Sequence, residues 1–291
     1  ISINTLNFIV NKRNNNFIQN YEIILNHLKS LNINTDFFIQ IRKPRLSNLE
    51  LIAMNFTAEY MSIDSECQLF RLIDDTFLEQ LIERSVYNRR KRKLFSLIEK
   101  VRVKLSSFFN EFEEYFIVDS MPLEVCKTSR ASRSSICKEK QQSFPDKGFC
   151  ASQNMYFYGY KLHAICSVSG VFQSIDISPA SVHDIHYLKD IQSQLSDCVL
   201  LGDKGYLSTS IQLNLFETAN IRLETPKRMN QASYQKQPYI FRKARKRIET
   251  LFSQLCDQFL IRRNYAKSFD GFKTRILSKI TALTMIQYLN K

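Results

Sequence analysis

The sequence is poor in the residues that interrupt regular structure, with only six glycines and six prolines among its 291 residues. This composition excludes loop-rich and low-complexity proteins, and a hydrophobic fraction of 44% is sufficient for a folded core. No apolar run approaches the roughly 20 residues that cross a membrane. Residues 1–10 are too short and too polar for a secretory signal. We therefore expect a globular protein of one large domain or two ordinary ones, with no membrane segment.

Cysteines at metal-binding spacing are also lacking. Seven cysteines are scattered along the chain, and no Cys-x-x-Cys pair occurs among them. Zinc ribbons and thioredoxin-type redox sites are therefore disfavoured. We predict free cysteines that act as small core residues in a reduced, cytoplasmic protein.

Acidic residues are scarce relative to basic ones. Lys and Arg total 41 against 28 Asp and Glu, which gives a net charge of +13. Such an excess favours a polyanionic partner, and nucleic acid is the usual one. The alternative is a soluble basic protein without such a partner.

The N-terminal part of the chain is predicted to be helical. Residues 1–36 are rich in Asn and are assigned no role, whereas 37–112 carry helical periodicity. Ser47 is predicted to cap a first helix through a capping box with Glu50. A second helix is predicted to begin near Asp74 and a third to span 93–105.

Five consecutive cations at 89–93 separate the second of these helices from the third. They include Arg89, Arg90 and Arg92. Three short helices with a basic junction fit a DNA-binding module. A plain helical bundle with a solvated charge run fits as well, and the sequence leaves both open.

From residue 113 to the C-terminus the pattern changes to alternating strands and helices. An apolar run ends at Asp119, and the polar stretch 123–155 is predicted as a loop. The expected strands are 115–118, 156–168, 171–177, 198–201 and 221–225, the second and third of them forming a hairpin. The expected helices are 181–195, 208–219, 239–260 and 272–289. This order predicts a mixed α/β fold with one antiparallel hairpin and parallel crossovers.

Asp119 and Asp203 each follow an apolar strand run. If those strands are parallel neighbours, both carboxylates emerge at the edge of the sheet where open α/β folds place ligands. Two close carboxylates repel one another unless a cation compensates them. Hard oxygen ligands of this kind suit Mg²⁺.

Glu249 lies on the long helix predicted at 239–260. At about 100° per residue, the apolar side chains of this helix centre on Ile248, and Glu249 lies on the flank of that stripe. Arg242 and Arg245 occupy the same flank. One helix edge therefore offers a carboxylate beside two guanidinium groups, which suits a metal ion next to DNA phosphates.

The remaining candidates have weaker signals. The spacing His183-x-x-His186 suggests zinc, but no further ligand lies nearby, so capping at the start of a helix is favoured. His163 is open to two interpretations, a satisfied core histidine or one that faces substrate. Ser120 lacks the local signature of a nucleophile, which excludes a serine hydrolase.

Five segments resemble the DDE transposases of bacterial insertion sequences, especially the insertion-sequence 982 type. They follow one another in the order of that family and cover about 115–260. The segments are FIVDSMP (116–122), YGYKLHAI (158–165), ISPASVHD (177–184), LLGDKGY (200–206) and RKARKRIETLFSQL (242–255). The resemblance implies an RNase H-like catalytic core at 113–291 with a mixed five-stranded sheet, preceded by a helical DNA-binding region.

The resemblance also implies the chemistry. The family's catalytic triad would fall on Asp119, Asp203 and Glu249, which would hold two Mg²⁺ or Mn²⁺ ions for phosphoryl transfer. Asp119 would bridge both ions, and the other two carboxylates would each complete one site. The implied partners are double-stranded DNA, as terminal repeats and target, and further copies of the chain in the DNA complex. The implied location is the bacterial cytoplasm, at the nucleoid.

The DNA contacts are predicted from the same resemblance. Arg245 matches the Arg that lies four residues before the catalytic Glu in related transposases. Those relatives often have Tyr where this chain has Arg242, and Lys where it has Cys256. As positively charged neighbours of the site, Lys204 and Lys161 are further candidates to bind the flanking phosphates, as Arg245 is. For all three, the alternative of a solvated surface cation stays open.

Three other functions stay open. One is a metal-dependent nuclease of the same fold, which cuts DNA without strand transfer. Another is a non-catalytic DNA-binding derivative of a transposase, although all three acidic residues are present. The third is an inactive copy of the element.

Overall fold

The computed structural model describes residues 3–34, 44–109, 113–151, 153–227 and 236–291. The chain forms two compact units: one contains 1–105, 255–265 and 270–291, and the other contains 106–254 and 266–269. The boundary predicted at 36/37 falls outside the described part, and so does residue 112 of the boundary predicted at 112/113. In the described residues, no helix is both long enough and apolar enough to cross a membrane.

Eight α-helices occur in the described residues, in the order α1 (Ile3–Ser30), α2 (Asn48–Tyr60), α3 (Glu66–Leu72), α4 (Arg84–Lys93), α5 (Phe95–Ser107), α6 (Thr209–Ala219), α7 (Tyr239–Asp257) and α8 (Phe269–Leu289). The capping box predicted at the start of α2 is confirmed. The Glu50 N–H donates to Ser47 Oγ over 3.2 Å, and the Ser47 N–H donates to Glu50 Oε2 over 2.6 Å. The third predicted helix is confirmed as α5.

The second predicted helix is wrong. Asp75 adopts a left-handed φ of 65°, which interrupts a helix at that point, and only the short 3₁₀ helix Glu79–Leu81 follows. The five consecutive cations do not form a junction, because 89–93 are the C-terminal half of α4. Helix α4 lacks an apolar stripe, and it packs through Tyr87 and the aliphatic part of Lys91.

Helix α8 is buried along most of its length although it carries many polar residues. Its Ser and Thr hydroxyls donate to the carbonyl four residues earlier, as Ser278 does to Thr274 and Thr281 does to Leu277. Lys279 is 1% exposed and donates to Glu59 Oε2 and to the Phe259 carbonyl. The polar groups of α8 are therefore satisfied inside the core of this unit.

The other unit is built on a mixed sheet of six strands in the described residues: β1 (Tyr115–Cys126), β2 (Asp146–Cys150), β3 (Met155–Ser167), β4 (Phe172–Pro179), β5 (Cys198–Leu201) and β6 (Ile221–Glu224). Strand β1 lies between β3, to which it is antiparallel, and β5, to which it is parallel. Strand β6 extends the parallel part beyond β5. The mixed α/β fold and the antiparallel β3–β4 hairpin are confirmed.

Strand β2 lies inside the stretch that was predicted as a loop, and it raises the number of strands from five to six. It pairs with 155–159 of β3, whereas β4 pairs with 160–166, so that both occupy the same edge of β3. Backbone pairing and the contact between the Phe149 and Tyr156 rings hold β2 against β3. The residues of β2 show no alternation of apolar and polar side chains.

The helix predicted at 181–195 is also wrong. Two 3₁₀ helices, Asp184–Lys189 and Ile191–Ser193, occupy this stretch. Leu188 and Ile191, three residues apart as the 3₁₀ period requires, are buried under the sheet with Tyr187. Helix α6 ends at Asn220, which adopts the left-handed conformation typical of a helix terminus.

The cysteines follow the prediction in part. No disulfide links any of the seven, all of which lie in the described part of the chain. Three are buried core residues: Cys137, Cys166 and Cys198. Cys67 is exposed and therefore does not fit the prediction of a core residue.

Candidate active site

Asp119 and Asp203 occupy equivalent positions on two neighbouring parallel strands. The last parallel pair between β1 and β5 joins Ile117 to Leu201. Each Asp follows its member of that pair by two residues, so the backbone register places both at the same level. The expectation that parallel neighbouring strands carry the two residues is therefore confirmed.

The first strand does not end before Asp119 as predicted. Strand β3 is 13 residues long and supplies an antiparallel partner for the rest of β1, in which Asp119 lies opposite Ala164. Because β5 ends at Leu201, β1 loses its parallel neighbour at this level while its antiparallel neighbour continues. Asp119 thus lies where the two strands separate.

The surroundings of Asp119 raise the pKa of its carboxyl to about 7. Burial is the main cause, and the negative charges of Asp203 and Asp184 add to it. The Ser120 N–H, which donates to Asp119 Oδ1 over 2.8 Å, and the guanidinium of Arg245 act in the opposite direction. Two further carboxylates and one guanidinium are therefore within electrostatic range of the Asp119 carboxyl.

Asp203 also stabilises the turn that follows it. Its Oδ1 accepts a hydrogen bond of 2.6 Å from the Gly205 N–H, at the start of the short 3₁₀ helix Lys204–Tyr206. A Cβ at Gly205 would lie 2.9 Å from this oxygen, so the turn has little space for a side chain. The carboxylate is thereby held in a fixed direction next to the end of β5.

Two residues of the site were not predicted, Asp184 and Tyr206. Tyr206 is 1% exposed, and its hydroxyl has no hydrogen-bond partner among the described residues. Burial raises the pKa of Tyr206 well above its usual value, and the charges of Asp184, Asp119 and Asp203 add to this effect. The sequence offered one indication of these two residues. Asp184 is the last residue of the segment ISPASVHD, and Tyr206 is the last residue of LLGDKGY.

Lys161 lies in this region and is already engaged. Its Nζ donates to Asp184 Oδ1 over 3.0 Å and to the Val182 carbonyl over 2.9 Å, and only 16% of the side chain is exposed. The ion pair anchors the segment after β4 to the middle of β3. A DNA phosphate would have to compete with both of these contacts.

His163 is a core histidine rather than an exposed one. It is 1% exposed, its Nε2 lies 2.7 Å from Ser178 Oγ, and its ring stacks on Tyr187 at 5.3 Å. Burial lowers its pKa, although nearby Asp184 opposes this. His183 caps the 3₁₀ helix that begins at Asp184, because its Nδ1 accepts the Ile185 N–H over 3.3 Å. This is the capping interaction that the sequence favoured over zinc.

Glu249 has the flank position on α7 that the helical geometry predicted. Ile248 is buried at 1% exposure, and Leu251, Phe252 and Leu255 continue the buried stripe. The Glu249 side chain is exposed and, among the described residues, makes no ion pair or hydrogen bond. Nor do the described residues contain any group of three His, Cys, Asp or Glu side chains at ligating distance from one another. The structure therefore brings Asp119 and Asp203 together, and leaves Glu249 apart from them.

The predicted DNA contacts lie in different environments. Arg245 is partly buried and acts electrostatically on Asp119, whereas Arg242 is exposed, with its guanidinium carbon 5.8 Å from the centre of the Tyr239 ring. Lys204 is exposed beside Asp203. In the helical unit the Arg90 side chain donates to Asn48 Oδ1 over 2.9 Å, and two exposed cations of α4 are Arg89 and Arg92.

The donor set where β1 and β5 separate fits a divalent cation. Carboxylate oxygens are the hard ligands that Mg²⁺ takes, and Mg²⁺ is typically held by one or two carboxylates together with substrate phosphate and water. Asp119 and Asp203 supply two such groups at one level of the sheet. Arg245 precedes Glu249 by four residues and lies on the same flank of α7. Its guanidinium is within electrostatic range of Asp119. That flank of the helix therefore faces the acidic pair.

Comparison with known proteins gives the family. The family profile described as "Transposase DDE domain" matches residues 110–285. No curated protein matches the chain. A solved structure described as "Mos1 transposase paired-end complex with left transposon end" is similar at 12% identity, over 90% of this chain and 85% of that chain, with a TM-score of 0.24. That similarity is too low to carry an inference. The profile match covers more than half of the 291 residues, and the chain belongs to the transposase DDE domain family.

Proposed function

We propose that the chain is the transposase of a bacterial insertion sequence of the 982 type, acting on chromosomal DNA in the cytoplasm. It would cleave DNA at the ends of the element and transfer the freed strands into target DNA. The observation that carries the proposal is the equal level of Asp119 and Asp203, two residues beyond the last parallel pair of β1 and β5, within the segment matched by the family profile. An RNase H-like core is consistent with the central order β3–β1–β5–β6.

Asp119, Asp203 and Glu249 are the proposed catalytic residues. DDE transposases use divalent metal ions, and two Mg²⁺ or Mn²⁺ ions, when bound, would supply charge stabilisation and an activated oxygen nucleophile. Asp119 and Asp203 would hold these ions through their carboxylates, whose directions the Ser120 and Gly205 N–H groups fix. Glu249 would complete the site from the flank of α7, after a side-chain or helix adjustment on substrate binding.

Cations around the site would position the DNA. Arg245 and Arg242 lie on the flank of α7 that carries Glu249, and Lys204 follows Asp203 directly. Each would bind a phosphate of the strand that is cut. Lys161 would contribute only if it exchanged its ion pair with Asp184 for a phosphate.

The remaining parts have assigned roles in this proposal. The helical region at 37–112 would bind the terminal repeats, with Arg89 and Arg92 of α4 exposed for phosphate contacts and Arg90 anchored on Asn48. The catalytic domain would span 113–291, and residues 1–36 keep no assigned role. Two ends of the element must be brought together, so further copies of the chain would join in the DNA complex.

The test uses DNA that carries the inverted repeats flanking the gene, with Mg²⁺. We expect the unchanged protein to cut this DNA and to join it to a target, and Asp119→Asn, Asp203→Asn and Glu249→Gln each to abolish both steps. Asp190→Asn and Glu217→Gln, which alter exposed acidic residues of the same unit, are the matched controls and should stay active. Cleavage without joining would identify a nuclease, and binding without cleavage would identify a non-catalytic derivative or an inactive copy. Activity that survives in one of the three variants would remove that residue from the catalytic set.

A further inference from the structure

The side of α7 that faces away from Glu249 forms a second basic surface. An open groove of about 460 Å³ lies between this helix and the β3–β4 turn. Among the described residues, its lining contains three cations and no acidic side chain: Lys243, Lys246 and Arg247, with Val168, Ile240, Ala244 and Thr250. At about 100° per residue, Arg247 lies some 160° around the helix from Glu249. Lys243 lies about 120° from Glu249 and Lys246 about 60°, so the groove is centred on the opposite side of α7 and Lys246 forms its nearer margin.

The three cations of this groove are not neutralised by carboxylates. In the described part of the chain, no carboxylate forms an ion pair with Lys243, Lys246 or Arg247. Lys161 and Lys279, by contrast, are neutralised by Asp184 and Glu59. Three unpaired cations around one groove create a positive potential that attracts an anion with several charges.

Arg247 is held in place by the hairpin turn. Its Nε donates to the Val168 carbonyl over 3.3 Å. Gly170 has a φ of +94°, and a Cβ there would lie 2.9 Å from Arg247 Nε, so the absence of a side chain lets the guanidinium pack against the turn. A guanidinium that is already fixed loses little side-chain entropy when it binds a phosphate.

We propose that this groove binds the sugar-phosphate backbone of duplex DNA, outside the acidic site and without regard to base sequence. The partner rests on the proposed function, because a transposase must hold DNA beyond the bond that it cuts. The spacing of the cations along the helix supports a backbone contact. Lys243 and Arg247 are four residues apart and therefore adjacent on one side of α7, and Lys246 extends the row. The exposed Ile240, at 68% exposure, adds an apolar contact for a sugar edge at the end of the groove.

The experiment measures the affinity for a random-sequence DNA duplex by fluorescence anisotropy in EDTA, over a range of NaCl concentrations. For the triple variant Lys243→Ala/Lys246→Ala/Arg247→Ala, the slope of log K against log salt should become shallower by about 2.7, since each lost phosphate contact removes about 0.9. The control Lys127→Ala/Arg130→Ala/Lys189→Ala removes the same charge from exposed positions of the same unit and should change the slope far less. The charge-preserving variant Lys243→Arg/Lys246→Arg/Arg247→Lys should keep the slope of the unchanged protein.

Equal losses of slope in the two alanine variants would overturn the proposal, because they would report net charge rather than a site. A slope that is lost in the charge-preserving variant as well would overturn it too, since it would indicate altered folding. The outcome does not depend on catalysis: Glu249→Gln should keep the full slope while it abolishes cleavage. Failure of the proposed function would appear as unchanged protein that binds DNA with this slope and does not cut it.

Discussion

Replacement of Asp203 by Asn should separate the structural role of this residue from its metal-binding role. Oδ1 of an Asn side chain accepts the Gly205 N–H as Oδ1 of Asp203 does, so the turn after β5 should survive. The change removes the repulsion between Asp203 and the buried Asp119 carboxyl. In EDTA we expect Asp203→Asn to unfold with a free energy equal to or above that of the unchanged protein. Asp203→Ala, which also loses the hydrogen bond, should lose about 1 kcal/mol.

Addition of Mg²⁺ should make the unchanged protein more stable than Asp203→Asn, which reverses the order expected in EDTA. An ion that binds only the folded state stabilises it by about 2.7 kcal/mol when its concentration is a hundredfold above the dissociation constant. The unchanged protein should gain this stability as MgCl₂ is raised, and Asp203→Asn should gain much less, because one of its two closest ligands has lost its charge. Urea denaturation at constant ionic strength measures the gain in unfolding free energy for each of the two proteins. Asp190→Asn, an exposed residue of the same unit, is the control and should gain as the unchanged protein does.

Two results would refute this reasoning. If Mg²⁺ stabilises Asp203→Asn as strongly as the unchanged protein, the ion does not bind at Asp203. If Asp203→Asn is as unstable in EDTA as Asp203→Ala, the hydrogen bond to Gly205 depends on the charge of the carboxylate, and the two roles are not separable.

Two further predictions concern stability. Lys279→Met should lower the free energy of unfolding by about 3–5 kcal/mol, because it leaves the buried Glu59 carboxylate without its partner. The double variant Glu59→Gln/Lys279→Met should recover a large part of that loss, as measured by urea denaturation. Equal losses in the single and the double variant would contradict a buried ion pair. At Gly170, where φ is +94°, Ala should cost about 1–3 kcal/mol, with Asn below Ala and Val above it. Thermal denaturation gives the order, and a Val variant as stable as the Asn variant would show that the turn adapts.

The parts of the fold that local patterns determine were predictable. The Ser47–Glu50 capping box and the hairpin strands 155–167 and 172–179 follow from side chains a few residues apart. Asp119 and Asp203 were predictable for a related reason, since an apolar run before each one indicates a buried strand. Glu249 was placed correctly on the flank of its helix by periodicity, but periodicity says nothing about its distance from a strand end.

The elements that depend on tertiary partners were not predictable. Strand β2 has no alternating pattern, and it exists because β3 offers it a free backbone edge. The stretch after β4 has enough apolar residues for an α-helix, yet it forms two short 3₁₀ helices that bury Leu188 and Ile191 in the core beneath the sheet. Asp184 and Tyr206 were missed because their approach to Asp119 arises only when the ends of separate elements converge.

The separation of β1 from β5 at Asp119 resolves a conflict that every hydrolytic or strand-transfer site faces. A reactive group must be rigid to within a fraction of an ångström, yet a bulky polymer must be able to reach it. On one side, the pairing of Asp119 with Ala164 of β3 fixes its backbone as firmly as that of any core residue. On the other side, the pairing with β5 stops at Ile117 and Leu201, so the backbone of β1 has no parallel partner beyond that pair. One edge of the strand thus fixes the Asp119 backbone, and the opposite edge is released from the sheet at the same level.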